Sequence, residues 1–334
     1  MRAVPFESDR WSVDGSLEPT EHLGRGCVRL DGTATLDVDL VDGTIEVDLA
    51  VGAERAFPGV FWRGRDAGNF ESFFVRPHQV GNDDAVQYTP VSNGISSWQL
   101  YHGPGFWAPV AFPVGAWFRI RVAFAAMRAE VHVDGEPSLV APLKRPVESG
   151  RVGVFGGSPP VHVAAFAYSD DPGVVRESQP APALDGAIAA WEVSDPFPEG
   201  EHELSSRTWT RLDAEPGGLV DLSRVHGIRG ARNTVFARAT IRSDGPRTVP
   251  LELGFSDRVV VHVNGRPLYR GDDTYRSRDY RFLGSIGWYD TVYLPLDAGD
   301  SELVVAVSED FGGWGVQARL PARDGLALVE PATP

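Results

Sequence analysis

Residues 35–50 read TLDVDLVDGTIEVDLA. Leu36, Val38 and Leu40 alternate with Asp37 and Asp39; beyond Asp42-Gly43, Ile45, Val47 and Leu49 alternate with Glu46 and Asp48. Successive side chains of an extended chain point to opposite faces, so a period of two gives one apolar and one acidic face. Asp-Gly tolerates the positive φ of a tight primed turn, and the pattern predicts an antiparallel hairpin about these two residues. The texture recurs outward. WFRIRVAF at 117–124 aligns Phe118, Ile120, Val122 and Phe124, and AEVHVDGEPSLV at 129–140 predicts a second hairpin around Asp134-Gly135. RVGVFGG and VHVAAFAY follow as further strands.

At 169–187 the chain reads SDDPGVVRESQPAPALDGA, rich in Pro, Asp and Ser and poor in periodic apolar residues, which marks a linker. Strand patterns then resume in TVFARATIRSDG, TVPLELGFSD, RVVVHVNGRPLYRG, DTVYLPLDAG, SELVVAVSED and GVQARLPARDG. A helical period is missing apart from one short stretch near GLVDLSRVHG. VHVDGEPSL at 131 and VHVNGRPL at 261 echo each other as one hairpin solution reached twice, since their flanks do not match. These patterns predict an all-β chain of two antiparallel β-sandwich (jelly-roll) domains, 1–170 and 189–334, joined by a linker at 171–188.

Composition narrows the function. The 334 residues carry a net charge of −15 without basic runs, so the chain repels phosphate backbones and no nucleic-acid partner is expected. Cys27 is the one cysteine, so no internal disulfide forms, and Lys144 is the one lysine. No run of ~18 apolar residues is long enough for a membrane helix. The N-terminal MRAVPFESDRWSVDG lacks a signal-peptide core, so the chain reads as cytoplasmic, or secreted if a leader has been removed. Phosphate-binding glycine loops, dinucleotide fingerprints, paired zinc cysteines and nucleophile elbows are all missing.

The chemically richest run is RPHQVGNDDAVQYTP at 76–90, preceded by NFESFFVRPH, in which neither alternating face is apolar. That departure from a half-buried strand suggests polar side chains lining a groove. Arg63, Glu71, Arg76, His78, Gln87, Tyr88, Asn93, Trp98 and Gln99 form the candidate ligand-binding set. Amides and arginine match sugar hydroxyls, and an aromatic ring stacks on a pyranose face. Were the groove catalytic, Glu71, His78 and Asp84 would carry the chemistry, though the paired carboxylates of ordinary glycoside cleavage are not evident. Asp83-Asp84 is the candidate calcium turn; no other cofactor is expected. In EDFGGWG at 309–315, Trp314 is expected to plug the core. Its alternative is a ligand edge shared with Arg276 and Asp310.

The run from GTIEVDLAV through FWRGRDAGNFESFFVRPH, DAVQYTPVSNG and WQLYHGPGFW to GRVGVFGG resembles concanavalin A-like lectin/glucanase sandwiches, near laminin-G-like and 3-keto-disaccharide hydrolase-like modules. The second half, with its VNG, SELVVAV and FGGWG pieces, resembles galactose-binding-like sandwiches. The resemblances imply two jelly rolls and a carbohydrate or glycosylated small molecule as partner. They leave open a binding protein, a glycoside-processing or small-molecule enzyme, and a structural protein without ligand; binding is the favoured reading.

Overall fold

The structure, a computed structural model, describes residues 1–179, 181–201, 203–279 and 281–330. Among these the chain is all-β and its strands pair antiparallel. Two short 3-10 turns, Pro77–Gln79 and Leu222–Arg224, are the helical elements, the second where one short helix was expected. None of the described helices is long and apolar enough to cross a membrane.

The chain divides into two compact units. One comprises Met1–Val91 with Tyr101–Pro180, the other Ser92–Leu100 with Ala181–Pro334. The sequence reading assigned residues 92–100 to the first sandwich; in the structure they complete the second, because Ile95 is buried in the second core.

In the first unit the hydrogen-bonded order runs Trp117–Ala125, Gly43–Ala50, Val161–Ser169, Arg25–Leu40, Gly150–Phe155, Gly59–Asp66, Asn69–Val75 and Val86–Ser92. Distant members of this order share one core: Trp62 and Phe124 stack with centroids 5.7 Å apart. The second unit layers two sheets. One is ordered Trp209–Asp213, Ala190–Ser194, Arg232–Ser243, Gly299–Ser308, Arg258–Val263 and Arg266–Asp272; the other Leu219–Asp221, Gly315–Arg319, Arg247–Ser256 and Asp290–Leu296. Alternate residues such as Val235, Ala237, Ile241, Leu303, Val305 and Val307 fill the space between them.

The two expected hairpins have different outcomes. Asp134 and Gly135 take φ of +51° and +82°, and Val133 pairs with Glu136 as a primed turn demands. Asn264 and Gly265 repeat the solution at +49° and +76°, with the same register shift just before the turn, at Val131/His132 and Val261/His262. The Asp42-Gly43 hairpin does not form. The first run pairs with Gly150–Phe155 and the second with Val161–Ser169, which also pairs with residues 28–30 and so separates the two strands. Asp42 serves another purpose: its Oδ1 accepts from the Ala126 amide (2.9 Å) and from Arg63 Nη2 (3.0 Å).

Trp314 is fully buried in the second core and its indole N–H donates to the Val307 carbonyl at 3.0 Å. Trp314→Ala should therefore cost about 3–5 kcal/mol of unfolding free energy, read from the urea midpoint. A variant with the parental midpoint would contradict the core role.

Candidate functional site

The groove expected around residues 63–99 is not one surface. Asn69–Val75 lies between Gly59–Asp66 and Val86–Ser92, and nearly all of it is buried. Both faces are covered, which is why neither reads as apolar or as solvent-facing: the polar residues find partners inside. Glu71, 0% exposed, accepts from the Tyr88 hydroxyl (2.7 Å) and the Arg145 amide (3.1 Å). Burial pushes its pKa up, opposed by these two bonds. The Tyr88 oxygen also accepts from the Lys144 amide at 2.9 Å. Gln87, adjacent to Tyr88 along the strand, points to the opposite face. It accepts from Arg76 Nη2 and donates to the Tyr101 carbonyl at 2.7 Å.

Arg76 also donates to the Asp84 carbonyl (2.6 Å) and lies 3.8 Å from the Asp84 carboxylate, so it locks the turn. Burial takes its pKa down to about 10. Arg63 is buried and donates to the Val41 carbonyl (2.7 Å). His78 sits edge-on to Phe57 in the 3-10 turn, and burial, then Arg55 and Arg76, hold its pKa below the usual histidine value. Glu71 is sealed in the core, so Glu71, His78 and Asp84 do not form an accessible acid–base set. Asp83 is exposed while Asp84 faces Arg76, a cation where a calcium ion would need carboxylates. Among the described residues no three His, Cys, Asp or Glu side chains gather as a metal site.

Asn93, Trp98 and Gln99 belong to the second unit. Gln99, 0% exposed, is tied on every side. Its amide donates to the Gly312 carbonyl (2.8 Å), and its carbonyl accepts from Ile286 (3.0 Å). Its Nε2 donates to the Leu283 carbonyl (2.8 Å), and its Oε1 accepts from the Ser256 hydroxyl (3.3 Å). The glycines of EDFGGWG make room for this segment. A Cβ on Gly312, at φ +107°, would lie 2.2 Å from Gln99 Oε1, and one on Gly315 2.6 Å from Leu100. Asn93 Nδ2 donates to the Ser223 carbonyl (2.8 Å), and Ser97 Oγ donates to Asp221 (3.1 Å).

Trp98 joins a half-exposed aromatic cluster that the sequence reading missed. Its ring lies 6.2 Å from Tyr275 and 5.8 Å from Phe311, which are 6.1 Å from each other, all edge-on. Phe311 is 55% exposed. The three rings come from segment 92–100, from the long loop between Arg266–Asp272 and Asp290–Leu296, and from the turn after Gly299–Ser308. Structureless loops of such length are usually functional, and that was the available signal for Tyr275.

Buried acids fix the turn beneath the rings. Asp257 accepts from the Asp310 (2.7 Å) and Phe311 (2.9 Å) amides, and Glu309 accepts from the Gly313 amide (2.9 Å). Burial pushes Asp257 and Asp221 each up to about 6 and Asp273 up to about 7, although Arg278 Nε stands 3.1 Å from Asp273. Burial, and then Asp257, raise Glu309 well above the carboxylate range. The more accessible acids behave oppositely. Hydrogen bonds from Arg258 hold Asp310 low, and bonds from Thr274 outweigh burial in lowering Asp272.

The second unit also carries an open depression of about 470 Å³. Its apolar wall includes Pro198, Ile228 and Ala231; its polar side includes Asn233, Arg258, Glu199 and Asp310.

No family model matches the chain, and no curated protein matches it by sequence. Among solved structures it is similar to the carbohydrate binding module CBM66 from Bacillus subtilis, at 17% identity over 49% of this chain and 99% of that one, with a TM-score of 0.40. A protein of unknown function with galectin-like fold from Bacillus subtilis is similar at 9% identity over 51% of this chain and 96% of that one, TM-score 0.39. Chicken Galectin 2 is similar at 13% identity over 42% of this chain and 99% of that one, TM-score 0.33. At these scores the likenesses carry no argument about the site or its ligand.

The buried acids set a pH dependence. Each has a folded-state pKa above its unfolded value, so each of these three groups binds more protons in the folded chain than in the unfolded one between about pH 4 and 7. Their contribution is fully present below the unfolded pKa and is lost as pH rises through 6 to 7. Asp279, held down to about 2 by Arg281, loses its own contribution only in more acidic solution. Burial lowers the pKa of His78, His162 and His226, which act in the opposite sense over the same range, so the acid is isolated by comparison: Asp257→Asn should gain in urea midpoint relative to the parent on going from pH 5 to pH 7.5. A difference between variant and parent that does not change with pH would contradict the assignment.

Proposed function

We propose that this chain is a non-catalytic carbohydrate-binding protein whose ligand lies on the Trp98, Tyr275 and Phe311 rings. One observation carries the reading: three aromatic side chains from separate loops meet at the surface, with Phe311 55% exposed. Apolar rings left in water contribute little to folding but offer flat faces for the apolar side of a pyranose. Their supports are rigid, since Gln99 and Asp257 hold the backbone on either side. That limits the ordering cost of binding.

The non-catalytic part of the proposal follows from the carboxylates. Those whose pKa is raised are buried; Asp257 is engaged by two backbone amides, and Glu309, 1% exposed although it lines the depression, accepts from the Gly313 amide through Oε1. Asp310 and Asp272 are accessible but held below the usual range. Acid-catalysed glycoside cleavage needs an accessible donor with a raised pKa opposite a second carboxylate. The assignment of the two units to concanavalin A-like and galactose-binding-like sandwiches is part of this same proposal, and it adds sugar as the ligand class without adding a catalytic residue.

Calorimetric titration with neutral saccharides tests the site. Phe311→Ala and Tyr275→Ala should each weaken binding at least about tenfold, the worth of one lost stacking contact. Folding stability should stay within about 0.5 kcal/mol for Phe311→Ala, as for other surface changes. Undiminished binding by both variants would overturn the placement of the site.

A further inference from the structure

We propose that the depression beside the turn 309–311 is a second contact of that binding site. It would read the hydroxyl donors of a non-anionic saccharide at least two sugar units long. The inference rests on the carbohydrate reading and adds the ligand's charge class and minimum length.

Arg258 organises the depression and is itself consumed by it. Its Nε and Nη2 donate to Glu199 at 2.9 and 2.7 Å, and its Nη1 and Nη2 donate to Asp310 at 2.5 and 3.0 Å. Four of its five N–H bonds are thereby spent, so the guanidinium has little left for a ligand carboxylate or phosphate. The two carboxylates differ in this respect. Their side chains are 44% and 51% exposed; Asp310 Oδ1 also accepts from Asn233 Nδ2 (3.3 Å), whereas Asp310 Oδ2 and both Glu199 oxygens accept one bond each and keep a second lone pair. Glu199 and Asp310 therefore present open acceptors, held in fixed directions by Arg258. One positive and two negative charges leave the group net negative on a chain of net charge −15.

A net negative group of open acceptors favours a ligand rich in O–H or N–H groups and repels an anionic one, and Glu309, which also lines the depression, adds an Oε2 that has no hydrogen-bond partner among the described residues. Adjacent sugar hydroxyls supply such donors. Ile228, 38% exposed, and Pro198 add an apolar wall for the carbon face of the ring.

The length requirement comes from connectivity. Asp310 lines the depression and Phe311 belongs to the aromatic cluster, and these residues are consecutive. Both of their amides donate to the one Asp257 carboxylate, so the two surfaces are fixed to each other by a single turn. Because both surfaces are tied to this one turn, a saccharide of more than one unit is the ligand proposed to reach both.

The test is calorimetry on the full chain with methyl glycosides of glucose, galactose and mannose, the matching neutral disaccharides, and a uronic-acid-containing disaccharide. The parent should bind at least one neutral disaccharide about tenfold or more tighter than its methyl monosaccharide, and the uronic-acid form more weakly than the neutral one. Glu199→Gln should lose about tenfold on the disaccharide, the worth of one charge-assisted hydrogen bond, and nothing on the monosaccharide. Its melting temperature should match the parent's, because Glu199 is a surface side chain.

Phe311→Ala should weaken both ligands. Equal disaccharide binding by Glu199→Gln and parent, or equal binding of uronic and neutral forms, overturns the depression as a contact while leaving the aromatic site standing. A Phe311→Ala variant that binds both like the parent overturns the aromatic site itself. A parent that binds no member of the panel overturns both.

Discussion

The seating of residues 97–100 on the glycine run 312–315 is the constraint on which the second unit depends. Gln99 meets three partner segments at once, at Gly312, at Leu283 and Ile286, and at Ser256. No side chain fits between: a Cβ on Gly312 or Gly284 would fall within 2.3 Å of the Gln99 amide group. Both glycines, at φ +73° and +107°, are thus required twice over, by their own backbone conformation and by the approach of a segment well over a hundred residues away in sequence. Burying an amide is costly unless its donors and acceptors are matched, and here the backbone N–H and C=O, the side-chain oxygen and one Nε2 hydrogen are. The matching is also what holds the loops bearing Trp98, Tyr275 and Phe311 in place.

A second constraint lies below the first. Asp221, Asp257 and Glu309 bring three carboxyl groups into the same buried region, each influencing another's ionisation. Were all three ionised at once, Coulomb repulsion in a poorly solvated interior would be severe. Their raised pKa values keep the three from ionising together, and backbone amides from Asp310, Phe311 and Gly313 supply compensating donors. The arrangement trades some stability at neutral pH for a turn whose direction is fixed, a trade typical of binding and catalytic sites.

Much of the fold was legible because its signals are local. Alternation along 117–124 and 301–308 needs only the period of an extended chain, and the turns at Asp134-Gly135 and Asn264-Gly265 need only residues that tolerate positive φ. Asp42-Gly43 carries the same local signal and misleads, since its flanking runs pair with Gly150–Phe155 and Val161–Ser169, over a hundred residues further on. The candidate site failed for a related reason. Mixed polarity on 69–78 was read as a groove, whereas it records a strand covered on both faces, with Glu71, Arg76 and Gln87 satisfied internally. Trp98 was identified as a ligand residue, but its neighbours were sought in the wrong half of the chain.

Phe311 shows why such a site escapes a reading from pattern. Within EDFGGWG the conspicuous aromatic is Trp314, yet its indole is enclosed and bonded to Val307. The smaller ring three residues earlier is the one turned to solvent. The direction of each is set by which backbone amides Asp257 and Glu309 capture; the Glu309 contact is local, but the Asp257 contact joins parts of the chain that sequence proximity does not relate. Surface aromatic residues are informative when the backbone beneath them is over-determined, because a fixed ring can receive a ligand without first being ordered. Rigidity supplied by buried polar contacts, rather than exposure alone, distinguishes Trp98, Tyr275 and Phe311 from the scattered apolar side chains that any protein surface carries.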